Sequence, residues 1–139
     1  MIVLDTNVLS EAFKPSPSEA VLGWLGAQEP PSVFITTITQ AELLYGVEML
    51  PSGKRRLRLS AAIEQVFMEE FRERILPFDQ DAARVFAKIV AGRDALERPI
   101  SQFDAMIAAI ARSRRAALAT RNTSDFEHCG VRIINPWSE

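Results

Sequence analysis

The sequence predicts an α/β protein with a central parallel sheet and helices on both faces. Three observations carry that expectation. Five short apolar runs recur along the chain, and longer segments of helical periodicity lie between the first four of them. Strands alternating with helices close into a parallel sheet covered on both sides. The chain has 139 residues and is 47% hydrophobic, enough for one domain with a substantial core.

Taken in order, Ile2-Val3-Leu4 is the first strand, and Asn7 is expected to cap a helix running to about Lys14. Pro15-Ser16-Pro17-Ser18 breaks it, and Ser18 caps a second helix through Trp24 and Leu25, ended by Pro30-Pro31. Val33-Phe34-Ile35 is the second strand. Thr39–Leu50 reads as a helix with Leu43, Leu44 and Val47 on one face, and Pro51-Ser52-Gly53 turns the chain into a long helix from about Lys54 to Arg74. Ile75-Leu76-Pro77-Phe78 is a strand whose proline favours an edge or an end. Helices over Asp79–Leu96 and Ser101–Arg114 follow, then strands at Ala116–Ala119 and Val131–Ile134, closed by Asn135-Pro136-Trp137. Trp24, Leu25, Leu43, Leu44 and Met49 offer more apolar surface than one core obviously needs, which suggests an interface on the helices around residues 40–70.

Composition excludes several classes. No stretch is long and apolar enough to span a membrane, and Met1-Ile2-Val3-Leu4 meets Asp5 at once, unlike a secretory leader. A cytoplasmic location is the expectation. The single cysteine, Cys129, cannot form an internal disulfide, and with His128 beside it gives no zinc-ligand spacing. The net charge of −2 argues against a protein that coats nucleic acid non-specifically. It leaves a nuclease open, because an acidic metal site removes local positive charge that its ion restores. The basic clusters Lys54-Arg55-Arg56 and Arg112 with Arg114-Arg115 read as solvated helix faces and helix ends.

In a parallel α/β sheet, ligands bind outside the carboxyl ends of the strands. Asp5 ends the first strand, Glu42 lies in the first turn of the helix after the second, and Asp125 follows the strand that ends at Ala119-Thr120. Asp104 opens the helix from Ser101. Each acid also has a structural explanation: Thr39-x-x-Glu42 and Ser101-x-x-Asp104 match capping boxes, Asn122-x-x-Asp125 matches a short cap, and Asp5 could simply end a strand. Their joint placement points further. Asp5 abuts three apolar residues, and the nearest basic residue in sequence is Lys14. Converging carboxylates repel unless a cation sits among them, and oxygen ligands suit magnesium or manganese. With no His, Ser or Cys nucleophile set, that is phosphoryl chemistry. No glycine-rich phosphate loop is present, so a nucleoside triphosphatase does not fit. A dehalogenase-type phosphatase needs a second acid where Asn7 stands, and a receiver domain needs paired acids before its strand and a late lysine.

Asp5-Thr6-Asn7, Thr39-x-x-Glu42-Leu43-x-Tyr45-Gly46, Asp104-x-x-Ile107-Ala108-Ala109 and Ala119-Thr120-Arg121-Asn122-x-x-Asp125-Phe126 together resemble the PIN domain, more narrowly the VapC and FitB toxins of bacterial toxin–antitoxin pairs. Ile134-Asn135-Pro136-Trp137 fits the same group. The resemblance covers the whole chain in order and spacing, so residues 1–139 are expected to form one nuclease domain, a three-layer α/β/α sandwich. It implies an endoribonuclease in which Asp5 and Asp104 hold Mg²⁺, water attacks phosphorus in line, and Glu42 and Asp125 position a second ion or bound waters. Products would carry 5′-phosphate and 3′-hydroxyl ends. Thr6, Asn7, Thr120, Arg121 and Asn122 would support substrate and carboxylates, Thr120 by a hydrogen bond to a carboxylate or to the water. Arg98 or Arg121 would hold the RNA backbone. Position 122 is Asn where some relatives carry Asp, so either Asp125 supplies the fourth carboxylate or the site works with three. The resemblance also implies a homodimer and a DNA-binding antitoxin whose tail enters the acidic groove. A second possibility is a weakly active or inactive scaffold within a DNA-binding toxin–antitoxin complex.

Overall fold

A computed structural model of the protein describes residues 1–138. The strands are β1 (Ile2–Leu4), β2 (Val33–Thr36), β3 (Ile75–Leu76), β4 (Ala117–Ala119) and β5 (Ile133–Ile134). The helices are α1 (Thr6–Glu11), α2 (Glu19–Gly26), α3 (Thr37–Glu48), α4 (Lys54–Gln65), α5 (Gln80–Ala95) and α6 (Gln102–Ser113). All strand pairs are parallel, in the order β3-β2-β1-β4-β5. The chain builds outward from β1 through β2 to β3, then crosses to the other side of β1 for β4 and β5. The switch point therefore lies between β1 and β4, where a ligand crevice is expected at the carboxyl edge.

Alternation along β1 sorts the two cores. Val3 joins Ile89, Ile107, Ile110 and Leu118 under α5 and α6. Leu4 joins Val8, Val21, Ile35, Ile63 and Phe67 under α1 to α4. Successive strand side chains point to opposite faces, so a three-residue strand feeds both layers. The result is the α/β/α sandwich that the sequence predicts.

Four local expectations need correction. Asp5, not Asn7, caps α1: its backbone is extended and its Oδ1 accepts from the Thr6 amide at 2.8 Å. Helix α3 starts earlier than the Thr39 pattern suggests, because Thr36 at the end of β2 takes the capping position and accepts from the Thr39 amide at 3.1 Å. Glu42 therefore lies in the second turn and caps nothing. The helix expected to run to Arg74 ends at Gln65 and passes into a π-helical turn over Val66–Glu70. The Phe71 amide reaches the Val66 carbonyl at 3.0 Å, and both Phe67 and Phe71 are buried in the core. Finally, Leu43 is a core residue, and Trp24 and Leu25 pack partly buried against that core. The exposed apolar side chains on α3 and its flanks are Leu44, Tyr45, Met49 and Leu57.

Other expectations stand. Ser18 caps α2 and Ser101 caps α6, while Asp79, expected as the first residue of α5, stands just outside it as its cap. β3 is an edge strand that stops before Pro77. Among the described residues, no helix is long and apolar enough to cross a membrane.

Candidate active site

At the switch point Asp5 ends β1 and Thr120 ends β4. Asp5 is 4% exposed and Thr120 wholly buried. The Thr120 hydroxyl donates to Asp5 Oδ2 at 2.7 Å. Having spent its only proton there, Thr120 Oγ1 accepts from the Asn122 amide at 3.1 Å and from Asn7 Nδ2 at 3.4 Å. Asn7 Nδ2 also lies 3.3 Å from Asp5 Oδ2, and Asn7 Oδ1 accepts from the Arg121 amide at 3.3 Å. Asn7 thus ties the first turn of α1 to the loop after β4. These contacts fix the Asp5 carboxylate, and among the described residues no basic side chain pairs with it.

A second chain of hydroxyls fixes Glu42. Thr6 Oγ1 donates to Glu42 Oε1 at 2.8 Å, so the 2.9 Å contact between Thr6 and Thr39 must have Thr39 as donor. Thr39 is buried and serves this relay rather than a helix cap. Asp104 follows Ser101 on α6 and is half-buried. The three acids converge: Asp5, Glu42 and Asp104 line one crevice of ≈ 250 Å³ together with Thr6, Asn7, Ser10 and Asn122.

The electrostatics are those of crowded carboxylates. Burial pushes Asp5 up to about 6, opposed by the Thr120 and Thr6 hydrogen bonds and reinforced by the charges of Asp104 and Glu42. Glu42 is raised by burial and by Asp104, and Asp104 by burial and by the charge of Asp125. Such a site holds protons or a cation. Among the described residues, no three acidic, His or Cys groups stand close enough to enclose an ion by themselves. The donors that line the crevice are carboxylate, hydroxyl and amide oxygens, the ligand chemistry of hard cations.

The remaining expected residues fall at different distances from this centre. Asn122 lines the crevice. Asp125, on the 3₁₀ turn Thr123–Phe126, is exposed and reaches the crevice through its charge on Asp104. Asn122 occupies the capping position of that turn, but its side chain makes no capping hydrogen bond. Arg121 is exposed at the rim, its guanidinium 5.1 Å from the centre of the Trp137 ring. Arg98 pairs with Glu127 at 3.2 Å and does not line the crevice.

Two contributors were not legible beforehand. Thr39 looked like a cap. Arg93 carries no mark in the sequence, yet it is 6% exposed and donates to the carbonyls of Asp125 (2.7 Å), Glu127 (3.0 Å) and Arg98 (2.7 Å). It holds the loop that carries Asp125 and lowers the Asp104 carboxyl by its charge. A carbonyl-bound arginine has no sequence signature beyond burial on the inner face of α5.

A parallel sheet carrying three crowded carboxylates at its switch point defines an α/β protein built around an acidic site. Residues 2–130 match the PIN domain family. The chain is 43% identical to VapC ribonuclease Y4jK of Sinorhizobium fredii, covering 99% of this chain and 98% of that one. It is 39% identical to Toxin FitB of Neisseria gonorrhoeae over 100% of both chains. It also superposes on the structure of FitAB bound to an IR36 DNA fragment with a TM-score of 0.93, at 39% identity, covering 99% of this chain and 96% of that chain. The chain belongs to the PIN-domain family, in the group that contains VapC and FitB.

Proposed function

We propose that the protein is a metal-dependent endoribonuclease and the toxin of a toxin–antitoxin pair. The observation that carries this reading is the convergence of Asp5, Glu42 and Asp104 in one crevice at the sheet's switch point. The relatives' names, a ribonuclease and a toxin, support the substrate class and the role. Asp5 and Asp104 would hold Mg²⁺, with Mn²⁺ as the alternative. When bound, such an ion supplies charge for the phosphate oxygens and a more acidic water. Glu42, fixed by Thr6, orients or deprotonates the attacking water. Thr120 and Asn7 keep the Asp5 carboxylate in place through the reaction, and Arg121 at the rim neutralises a flanking phosphate.

The partner in this reading is a DNA-binding antitoxin. An apolar groove of ≈ 470 Å³ between α1, α3 and α4 shares Thr6, Ser10 and Glu42 with the crevice, and Lys14 and Arg55 line it. An antitoxin tail laid there would close the acidic site. The exposed Leu44, Tyr45, Met49 and Leu57 support a homodimer, which light scattering would report as twice the chain mass. The cytoplasm is the compartment where such RNA is met. The DNA-bound FitAB structure favours a second reading, a weakly active scaffold in a DNA-binding regulatory complex. One assay separates the two. The isolated chain cuts RNA with Mg²⁺, loses activity in EDTA and regains it when Mg²⁺ is restored; an inert chain under all three conditions leaves the scaffold.

A further inference from the structure

At the opposite edge of the sheet, where β1, β4 and β5 begin, lies a second depression of ≈ 510 Å³ lined by Arg112, Arg115 and Arg132 above Ala116, Gly130 and Val131. The three arginines come from the last turn of α6, the second residue beyond it, and the approach to β5. All three are exposed. Among the described residues none pairs with a carboxylate, whereas the adjacent Arg114 pairs with Asp79 at 3.6 Å.

The depression is shaped as well as charged. Arg112 Nη1 donates to the Cys129 carbonyl at 3.5 Å, and its guanidinium lies against Gly130. A Cβ at Gly130 would stand 3.1 Å from Arg112 Nε, and the residue's φ of 77° is one that glycine adopts freely. Arg115 has a left-handed backbone, and its amide bonds the Arg112 carbonyl at 3.1 Å. Cations at a helix carboxyl end complement its dipole, which accounts for Arg112 and Arg115. It does not account for Arg132, which comes from the strand side. Three guanidinium groups around one hollow repel each other unless an anion lies between them. Among the described residues, no aromatic side chain of the kind that anchors protein partners lines the hollow. Guanidinium forks match phosphate oxygens in pairs.

We infer that this depression binds backbone phosphates of a nucleic acid, on the face of the molecule away from the acidic crevice. The inference rests on the proposed RNA substrate for the identity of the polyanion. It requires an RNA long enough to pass from the carboxyl edge of the sheet to the amino edge.

Binding is measured by fluorescence anisotropy in EDTA, with a labelled single-stranded RNA of that length and a salt series. Variants are Arg132→Gln, the triple change of Arg112, Arg115 and Arg132 to Gln, and Arg84→Gln, an exposed arginine on α5 that serves as a charge-matched control for the single change. The triple variant is expected to bind about tenfold more weakly, with a log–log salt slope smaller by about two. Arg132→Gln is expected to weaken binding about twofold and Arg84→Gln to leave it unchanged. Melting curves confirm that each variant is folded, and the single variant preserves the test should the triple one fail to fold. Wild-type affinity and slope in the triple variant overturn the inference, as does an equal loss in Arg84→Gln and Arg132→Gln. So does a polyglutamate peptide that loses affinity for the variants while RNA does not. A wild-type chain that binds no RNA removes the proposed substrate as well. Wild-type binding that survives in the triple variant removes only this site.

Discussion

The two ends of α1 each bury a carboxylate, and the two have opposite fates. Glu11 is 5% exposed. Lys14 Nζ lies 2.9 Å from one of its oxygens, and the Ser18 amide donates to the other at 2.9 Å. Lys14 first and Ser18 second hold its carboxyl below the ordinary value of 4.5. Asp5 is 4% exposed and equally well hydrogen-bonded, but by neutral donors only, and its carboxyl rises to about 6. The nearest lysine in sequence has gone to Glu11. A buried acid whose cation is built into the chain is part of the architecture. A buried acid beside two more acids is, in the function proposed above, where an ion would bind.

The sharpest way to break this contrast is to remove charge at the crevice. Asp5→Asn and Asp104→Asn are each expected to lower Mg²⁺-dependent RNA cleavage at least a thousandfold while the chain stays folded. Glu11→Gln should leave the rate constant of the folded protein unchanged. Equal activity in Asp5→Asn and wild type, measured on protein with matching circular dichroism, would end the assignment.

Glu42 comes next in size. It lies in the second turn of α3, so it owes nothing to capping, and Gln can still accept from Thr6. Glu42→Gln is expected to cut turnover about a hundredfold with an unchanged melting temperature. Had it been a cap, its loss would cost about 1 kcal/mol of stability and spare turnover.

Stability separates the two acids by sign. Asp5 has a folded value above its unfolded one, so in metal-free protein its own contribution favours the fold at low pH. That advantage is lost as pH rises from 3.8 through about 6. Asp5→Asn is then expected to stabilise the protein in EDTA at pH 7 by roughly 2 kcal/mol, with no gain below pH 4. Glu11 has a lowered value, so its contribution is present above pH 4.5 and lost as pH falls through the folded value. Glu11→Gln should melt lower than wild type at pH 7 and converge with it in acid. Melting curves at several pH values check both, and parallel shifts of the two variants would contradict the comparison.

The sequence made much of this legible because alternation and helical period are local. The strand cores, the caps Ser18 and Ser101, and the proline at the end of β3 all follow from a few neighbouring residues. The Thr39–Glu42 spacing misled for the same reason. Thr36 competes for the capping position, and only the geometry at the end of β2 decides between them. The π turn at Val66–Glu70 depends on where Phe67 and Phe71 must land in a core assembled from distant strands. Arg93 and the Thr39–Thr6–Glu42 relay join residues far apart in sequence, and periodicity has no access to them.

The smallest expected effects concern the fourth acidic position, where the contrast between lining the crevice and lying beside it becomes quantitative. Asn122 lines the crevice but brings no charge, and its backbone N–H is held by the Thr120 hydroxyl oxygen. Asp125 brings charge but is exposed, held by its own backbone carbonyl to Arg93. Its influence on Asp104 is through space and partly screened by water. Asp125→Asn should therefore weaken Mg²⁺ binding about threefold and slow cleavage by a similar factor, far less than the loss at Asp5. Asn122→Asp places a carboxylate directly at the crevice wall. It should tighten Mg²⁺ binding several-fold and raise the Asp104 carboxyl further, since positions 122 and 104 line the same crevice. In EDTA the same substitution should destabilise the protein slightly, because repulsion is added with nothing to offset it. Isothermal titration of Mg²⁺ into both variants distinguishes the roles. Unchanged affinity in Asp125→Asn would leave three carboxylates as the whole site. Unchanged affinity in Asn122→Asp would mean that the crevice wall at position 122 does not face the ion.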